Sequence, residues 1–368
     1  MGVRVGGLEL LLGPSRLGAP DDLDAAIRDF LADAQHELLV AVQELDSEPI
    51  ARSIIDAKRK NGVRVRVILE GDYLREERPA DDPWAPGGPT EANRRIHSAL
   101  LRAGIDVITD LNPALFHQKF VVRDPGEASA AVLTGSANFT ATDTGVNPVT
   151  TGRDGGDNLN AVLILHGAAA AGQFAREFDR MRSGTFGELR ERHEPRPREF
   201  TLGRVRVKPL FAPRHGPEME IMKQMLKARE RIDFAMFTFA QSSGIDDTMI
   251  RLTPGVRIRG VLDRGQGSQR WASTGVLRRA GVELFRNRPG TGVRKVHHKL
   301  MVVDERLVIL GSLNYTEPAT ILNDENIVVL GDLEEGNPKA EEGQRELAGF
   351  ALAEIDRIVT DLGEPVPA

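Results

Sequence analysis

The sequence predicts an α/β protein made of two similar halves packed side by side. Three observations predict this. Apolar, strand-like runs alternate with helix-like stretches along all 368 residues. The order of runs recurs: VRVRVILEGD (63–72) matches VRIRGVLDRG (256–265), and LLRAGIDVI (100–108) matches LRRAGVELF (277–285). A histidine-lysine-aspartate pattern followed by Gly-Ser-x-Asn occurs once in each half.

In chain order, Leu8 to Leu12 is a first strand, and Asp21-Asp22 caps a helix with Leu23, Ala26, Ile27, Phe30 and Leu31 at helical spacing. LLVAVQEL (38–45) is a buried strand, Pro49 to Lys60 a helix ended by Asn61-Gly62, and Val63 to Leu69 a strand. Arg75 to Thr90 is rich in Pro, Gly and charge and reads as a loop with Trp84 at its tip. A helix from Asn93 to Arg102 precedes the strand IDVIT. Phe120 to Val122 and Ala131 to Gly135 form adjacent strands around the insert PGEASA. Asn147 to Asp157 is a Gly-rich loop before the strand AVLIL. Ala168 to Arg182 is a helix with Phe174 and Phe178 one turn apart.

Glu188 to Phe200 carries charge and two prolines, so the expected division is 1–187, a linker at 188–200, and 201–368. The second half repeats the order. RVRVKPLFAP is a strand, Glu218 to Arg229 a helix with Met219, Met222, Met225 and Leu226 as a core stripe, and IDFAMFTFA (232–240) the counterpart of LLVAVQEL. A last helix runs from Lys339 to Leu362.

Composition narrows the function classes. Hydrophobic content of 40% and charged content of 28% suit a globular protein. With no cysteine, disulfides and thiolate metal sites are excluded. No signal peptide or membrane-length apolar run is read, so a cytoplasmic location is expected. The net charge of −6 disfavours nucleic-acid binding driven by overall charge, though not by a local basic patch.

The repeated pattern carries the chemistry. The second copy has His297, Lys299 and Asp304, then Gly311, Ser312, Asn314 and Glu325; the first has His117, Lys119 and Asp124, then Gly135, Ser136 and Asn138. Histidine and lysine two apart on a strand face the same way, so His297 rather than His298 is the reactive candidate. One histidine can attack phosphorus while a second protonates the leaving oxygen and later activates water. Two lysines and two asparagines can hold phosphate oxygens. Gly-Ser lets backbone approach closely, and Ser136 and Ser312 can donate or cap a turn. Glu325 is the candidate to orient a histidine, as a triad carboxylate does, and Asp157 is the chosen acid in the first half. Asp124 and Asp304 are expected to anchor loops or join structural ion pairs. Lysine beside each histidine opposes a metal site, so neither metal nor cofactor is expected.

These residues resemble the phospholipase D superfamily, whose paired motifs run H-x-K-x4-D-x6-G-S-x-N. The second copy matches throughout. In the first, ten residues rather than six separate Asp124 from Gly135, which reads as a longer hairpin turn. The resemblance implies two lobes about a pseudo-twofold axis with the active site between them. It also implies a metal-independent phosphodiesterase or transphosphatidylase acting through phosphohistidine, with His117 as nucleophile and His297 as general acid, or the two roles reversed.

The pattern does not choose the substrate. Compactness and the basic residues Arg286, Arg288, Arg294 and Lys295 favour a nuclease, with those residues as a phosphate track. The alternative is a phospholipase D whose Trp84 loop dips into lipid. A non-catalytic binding protein is disfavoured, because both copies keep histidine and lysine. The oligomeric state is open.

Overall fold

The computed structural model describes residues 2–74, 92–152 and 155–367. The Trp84 loop expected at 75–90 lies outside the described residues. Eighteen strands are described: β1 (Val3–Val5), β2 (Leu8–Gly13), β3 (Glu37–Val42), β4 (Arg64–Leu69), β5 (Asp106–Thr109), β6 (Lys119–Arg123), β7 (Ala131–Gly135), β8 (Asp157–His166), β9 (Phe200–Leu202), β10 (Val205–Ala212), β11 (Arg231–Met236), β12 (Arg257–Leu262), β13 (Glu283–Asn287), β14 (Val293–Val296), β15 (Lys299–Val303), β16 (Leu307–Gly311), β17 (Glu325–Leu330) and β18 (Gly363–Pro365).

The helices are α1 (Leu23–Ala32), α2 (Glu48–Asn61), α3 (Ala92–Arg102), α4 (Ala141–Thr144), α5 (Ala168–Arg182), α6 (Pro217–Met225), α7 (Ile245–Leu252), α8 (Arg264–Gly267), α9 (Thr274–Arg279), α10 (Glu317–Ile321) and α11 (Pro338–Arg357). Their ends follow local chemistry. The Asp22 side chain accepts from the Ala25 N–H at the start of α1, and Gly62, in the left-handed region at φ 69°, ends α2.

Each half builds a sheet with one order. The first runs β1-β2-β8-β7-β6-β3-β4-β5 and the second β9-β10-β17-β16-β15-β11-β12-β13, extended by β18. The parallel pairs also correspond: β3 with β4 and β4 with β5, then β11 with β12 and β12 with β13. The two lobes are therefore one topology used twice. α5 and α11 lie between the sheets within a shared core that holds Phe120, Phe174, Phe178, Phe211 and Leu300. Across this core the Phe174 and Phe211 rings pack edge to face at 5.1 Å. Separate outer cores lie under α1–α3 in one lobe and under α6 and α7 in the other.

One expectation holds in part. Of the expected stripe on α6, Met225 is buried and Met222 packs against the core, but Met219 is 58% and Leu226 56% exposed, and Ile221 completes the buried face. The segment 188–200, expected as the linker, packs against both halves. Arg190 is buried, bonds Glu177 at 3.3 Å and Glu194 at 2.8 Å, and donates to the Ala212 carbonyl at 2.6 Å.

The halves also exchange backbone. β14, from the second half, pairs in parallel with the start of β8 in the first sheet. Its ladder ends where the His297 N–H donates to the Leu159 carbonyl at 3.0 Å. On the other side of the seam the His117 N–H donates to the Asp324 carbonyl at 2.9 Å. Each motif histidine is thus held by the opposite lobe.

Candidate active site

β6 and β15 start at Lys119 and Lys299, so each histidine stands just ahead of a central strand. Both histidines and both lysines are buried. Lys119 donates to the His117 carbonyl and to Gln43 Oε1, each at 2.9 Å, and Lys299 to the His297 carbonyl at 2.9 Å. The Phe237 ring takes the place of Gln43 beside Lys299, with Nζ 5.2 Å from its centroid. His298, between the pair, turns to the other side of the strand, its Nε2 3.4 Å from Glu354 on α11.

The orienting groups cross the seam. Glu325, on the second lobe, lies with Oε2 2.6 Å from His117 Nδ1. The same oxygen accepts from Ser312 Oγ at 2.6 Å, and Asn323 donates to Oε1 at 3.3 Å. An ionised Glu325 accepts from His117 Nδ1–H, and the ring also bonds the Ser312 backbone.

Asp157 does not play the matching part. Its carboxylate lies 3.5 Å from Arg16 and accepts from the Asn147 N–H at 3.3 Å. The group at His297 Nδ1 is Asn160 Oδ1, at 2.9 Å. Backbone register explains the shift. The Ser312 N–H donates to the Asn326 carbonyl and the Ser136 N–H to the Ala161 carbonyl, so Asn160 is the counterpart of Glu325. Ser136 Oγ reaches Asn160 at 2.8 Å, as Ser312 reaches Glu325. The glycines before these serines need their unusual backbone: at Gly135 (φ 152°) and Gly311 (φ 159°) a Cβ would fall 2.2 Å from the Ala161 and Asn326 carbonyl oxygens.

Counting forward from the motif misses Asn160, because it stands twenty-two residues after Asn138 while Glu325 stands eleven after Asn314. Counting back from the apolar runs AVLIL and NIVVL finds it. Gln43 and Phe237 were also missed, since each follows a strand outside the motif, as was Asp143, on the short helix that follows Gly-Ser-x-Asn.

Asn138 is buried and Asn314 half-buried, and the side-chain Oδ1 of each has no partner among the described residues. Unpartnered buried amides beside two lysines are suited to bind an oxygen-rich anion. Asp124 accepts from the Gln35, His36 and Glu37 N–H groups and from Ser129. Asp304 accepts from the Arg229, Glu230 and Arg231 N–H groups. Both fasten the turn ahead of β3 or β11, away from the histidines.

Burial and neighbouring charge set the site's electrostatics. Burial, then Lys119 and Lys299, holds His117 well below its usual range, and burial, then Lys299 and Lys119, does the same for His297. Burial lowers Lys119 to about 8, against the pull of Glu325 and Asp143, and holds Lys299 well below its usual value, with Lys119 adding to the effect. Glu325 is raised to about 8 by burial, opposed by Lys119. Two desolvated ammonium groups without a bonded carboxylate favour an incoming dianion. Inorganic phosphate or tungstate should therefore raise the melting temperature, by about 2.7 kcal/mol of stabilisation at a hundredfold excess over Kd. Binding should take up protons above pH 8, where free Lys119 has lost its own. Differential scanning calorimetry of the protein and of Lys119→Met with Lys299→Met checks this. An equal shift in the double variant would place the anion elsewhere.

Comparison with known proteins places the chain in a family. The sequence model of the family described as cardiolipin synthase, PLD-like domain, matches residues 27–182 and 221–341, most of both halves. The chain belongs to the phospholipase D superfamily. Among curated relatives of this superfamily member, human mitochondrial cardiolipin hydrolase is 32% identical over 113 residues, covering 30% of this chain and 43% of that protein. A phospholipase D of Rickettsia conorii is 31% identical over 140 residues, covering 36% of this chain and 65% of that protein. The chain thus spans between about two fifths and two thirds of the length of such relatives. Among solved structures, phosphatidylserine synthase of Haemophilus influenzae Rd KW20 superimposes with a TM-score of 0.67 at 16% identity, covering all of this chain and 89% of that one. The two-lobed fold is shared.

Proposed function

We propose that this chain is a phosphodiesterase that acts on phospholipids through a phosphohistidine on His117. The observation that carries the reading is the pair of buried histidines, each oriented at Nδ1 from the opposite lobe, with a buried lysine beside each. His117 Nε2 attacks phosphorus while Lys119, Lys299, Asn138 and Asn314 hold the non-bridging oxygens. His297 delivers a proton to the leaving alkoxide, then takes one from the water that breaks the P–N bond. Glu325, in its ionised form, stabilises the positive charge that develops on the His117 ring during attack. The neutral amide at His297 does so less, which favours His117 as nucleophile.

A lipid substrate is supported over nucleic acid by two observations. The relatives above are named for lipid chemistry. The proposed arginine track is engaged elsewhere: Arg286 bonds Glu364 at 2.9 Å, and Arg288 donates to the Asp361 carbonyl at 2.8 Å. Of that set, Lys295 lies near the site, its Nζ 5.3 Å from the Phe237 ring centroid.

The test offers phosphatidylcholine, phosphatidylglycerol and cardiolipin vesicles beside single-stranded DNA, duplex DNA and RNA, all with excess chelator. Headgroup release, absent in His297→Ala, is expected. Nucleic-acid cleavage with intact lipid would overturn the substrate, and restoration only by a divalent cation would overturn the mechanism.

A further inference from the structure

We infer that Asp143 is a positioning residue that supplies to His297 the negative charge that Glu325 supplies to His117. This rests on the two-histidine reading above. The pseudo-symmetry breaks at one point: the carboxylate of the second lobe has an amide, Asn160, as its counterpart in the first. The charge is not lost from the first lobe, but it sits on another element. Asp143 belongs to α4, in the Gly-Ser-x-Asn loop, and is buried. Its Oδ1 lies 3.7 Å from His297 Nδ1, just outside the amide that makes the direct bond. Its Oδ2 accepts from the Asn138 N–H at 2.8 Å, and Oδ1 accepts from Asn158 at 2.5 Å. Asn160 Nδ2 donates to the Asp143 carbonyl at 3.1 Å, which fixes the amide with Oδ1 toward the histidine. At the corresponding place in the second lobe, five residues after Asn314, the chain has Ala319. Each lobe therefore carries one carboxylate for the opposite histidine: in the second it bonds the ring directly, and in the first it stands behind an amide.

The surroundings of His297 make such a charge necessary. Lys299, Lys119, Lys295 and His117 all bear on it, and the Phe237 ring packs at 4.9 Å. Among the described residues, Asp143 is the carboxylate within 4 Å of its ring. Without a carboxylate, an imidazolium facing three lysines would be strongly disfavoured, and the proton needed by an alkoxide leaving group would be lost. The amide keeps Nδ1–H oriented, while the carboxylate behind it stabilises the protonated ring. A carboxylate 3.7 Å away raises the ring's proton affinity less than one in direct contact, which suits a group that must release its proton within the same step.

The experiment compares wild type, Asp143→Asn, Asn160→Asp and the double variant. Asp143→Asn keeps an oxygen for the Asn138 N–H, so it removes charge with little change of shape. On a phospholipid with an alkoxide leaving group, kcat/KM of Asp143→Asn should fall by about tenfold or more, and its alkaline limb should move about one pH unit lower. Asn160→Asp should move that limb higher, and the double variant should return toward wild type. On bis(p-nitrophenyl) phosphate, whose leaving group needs no proton, the burst of nitrophenolate should be nearly unchanged in Asp143→Asn. If Asp143 only anchors its loop, both substrates would suffer alike, the limb would stay in place and Asn160→Asp would not rescue; that result overturns the inference. A wild type that turned over neither substrate would instead defeat the phosphodiesterase reading. The inference would then be decided by the NMR titration of His297 with ¹⁵N-labelled histidine, where Asp143→Asn must lower the midpoint and an unmoved midpoint overturns it.

Discussion

His117→Ala and His297→Ala should each lose phospholipid turnover by a factor on the order of 10³ or more, because each removes a role the other histidine cannot fill. The two variants should differ on an activated substrate. With bis(p-nitrophenyl) phosphate, His297→Ala should release one equivalent of nitrophenolate and stall with the phosphoryl group on His117, since the phenolate leaves unprotonated and only the water step lacks its base. His117→Ala should give no burst. Stopped-flow absorbance and intact mass at neutral pH check both halves of this prediction. A burst in His117→Ala alone would exchange the two roles. Near wild-type turnover in either variant would remove the two-histidine mechanism altogether. The predicted direction follows from the ring partners: a carboxylate 2.6 Å from His117 Nδ1 and an amide 2.9 Å from His297 Nδ1.

The largest effect on stability should come from Asp124→Ala. Asp124 sits at φ 49° and gathers three backbone N–H groups and a serine hydroxyl. Removing it leaves those donors without their acceptor and puts alanine in the left-handed region, costing about 3–5 kcal/mol. Asp304→Ala should cost less, about 1–3 kcal/mol, because the Arg229 and Glu230 N–H groups it releases are exposed to water. Urea unfolding followed by circular dichroism measures both. Burial raises the Asp124 pKa, but the N–H groups of Glu37 and His36 and the Ser129 hydroxyl outweigh it and leave the carboxyl below its ordinary value. Its stabilisation is therefore present above the unfolded value of 3.8 and lost as pH falls through the lower folded value. An Asp124→Ala protein with a wild-type unfolding midpoint and no activity would move this residue from scaffold to chemistry.

The contrast between Asp124 and Asp157 shows what a linear reading can reach. Asp124 follows a fixed strand whose length sets where it lands, so its anchoring part was legible from the motif. Asp157 was reached by counting across a loop, and loop length carries no register. The strand after the loop does, and its apolar run, aligned with that of β17, points to Asn160. The two ends of the methionine stripe, Met219 and Leu226, were misplaced for a related reason. A helical period identifies an apolar arc, but the sheet beneath decides which part of that arc is covered, and here it takes Ile221 and Met225. Arg286, in the basic segment before His297, shows how charge is visible in sequence while its partner is not: Glu364 is 78 residues away and neutralises it through the pairing of β13 with β18.

What the sequence by itself determined was the duplication, the two α/β lobes and the pairing of histidine with lysine on one face of a strand. These rest on periodicity and fixed short spacings, which backbone geometry converts into position without reference to the rest of the chain. The tertiary structure alone decided which lobe serves which histidine. Glu325 is 208 residues from His117, and Asn160 is 137 from His297. Those contacts exist because β14 and the segment at Phe116 pair with strands of the opposite sheet, a consequence of packing two sheets over one shared core that no local pattern in either half encodes.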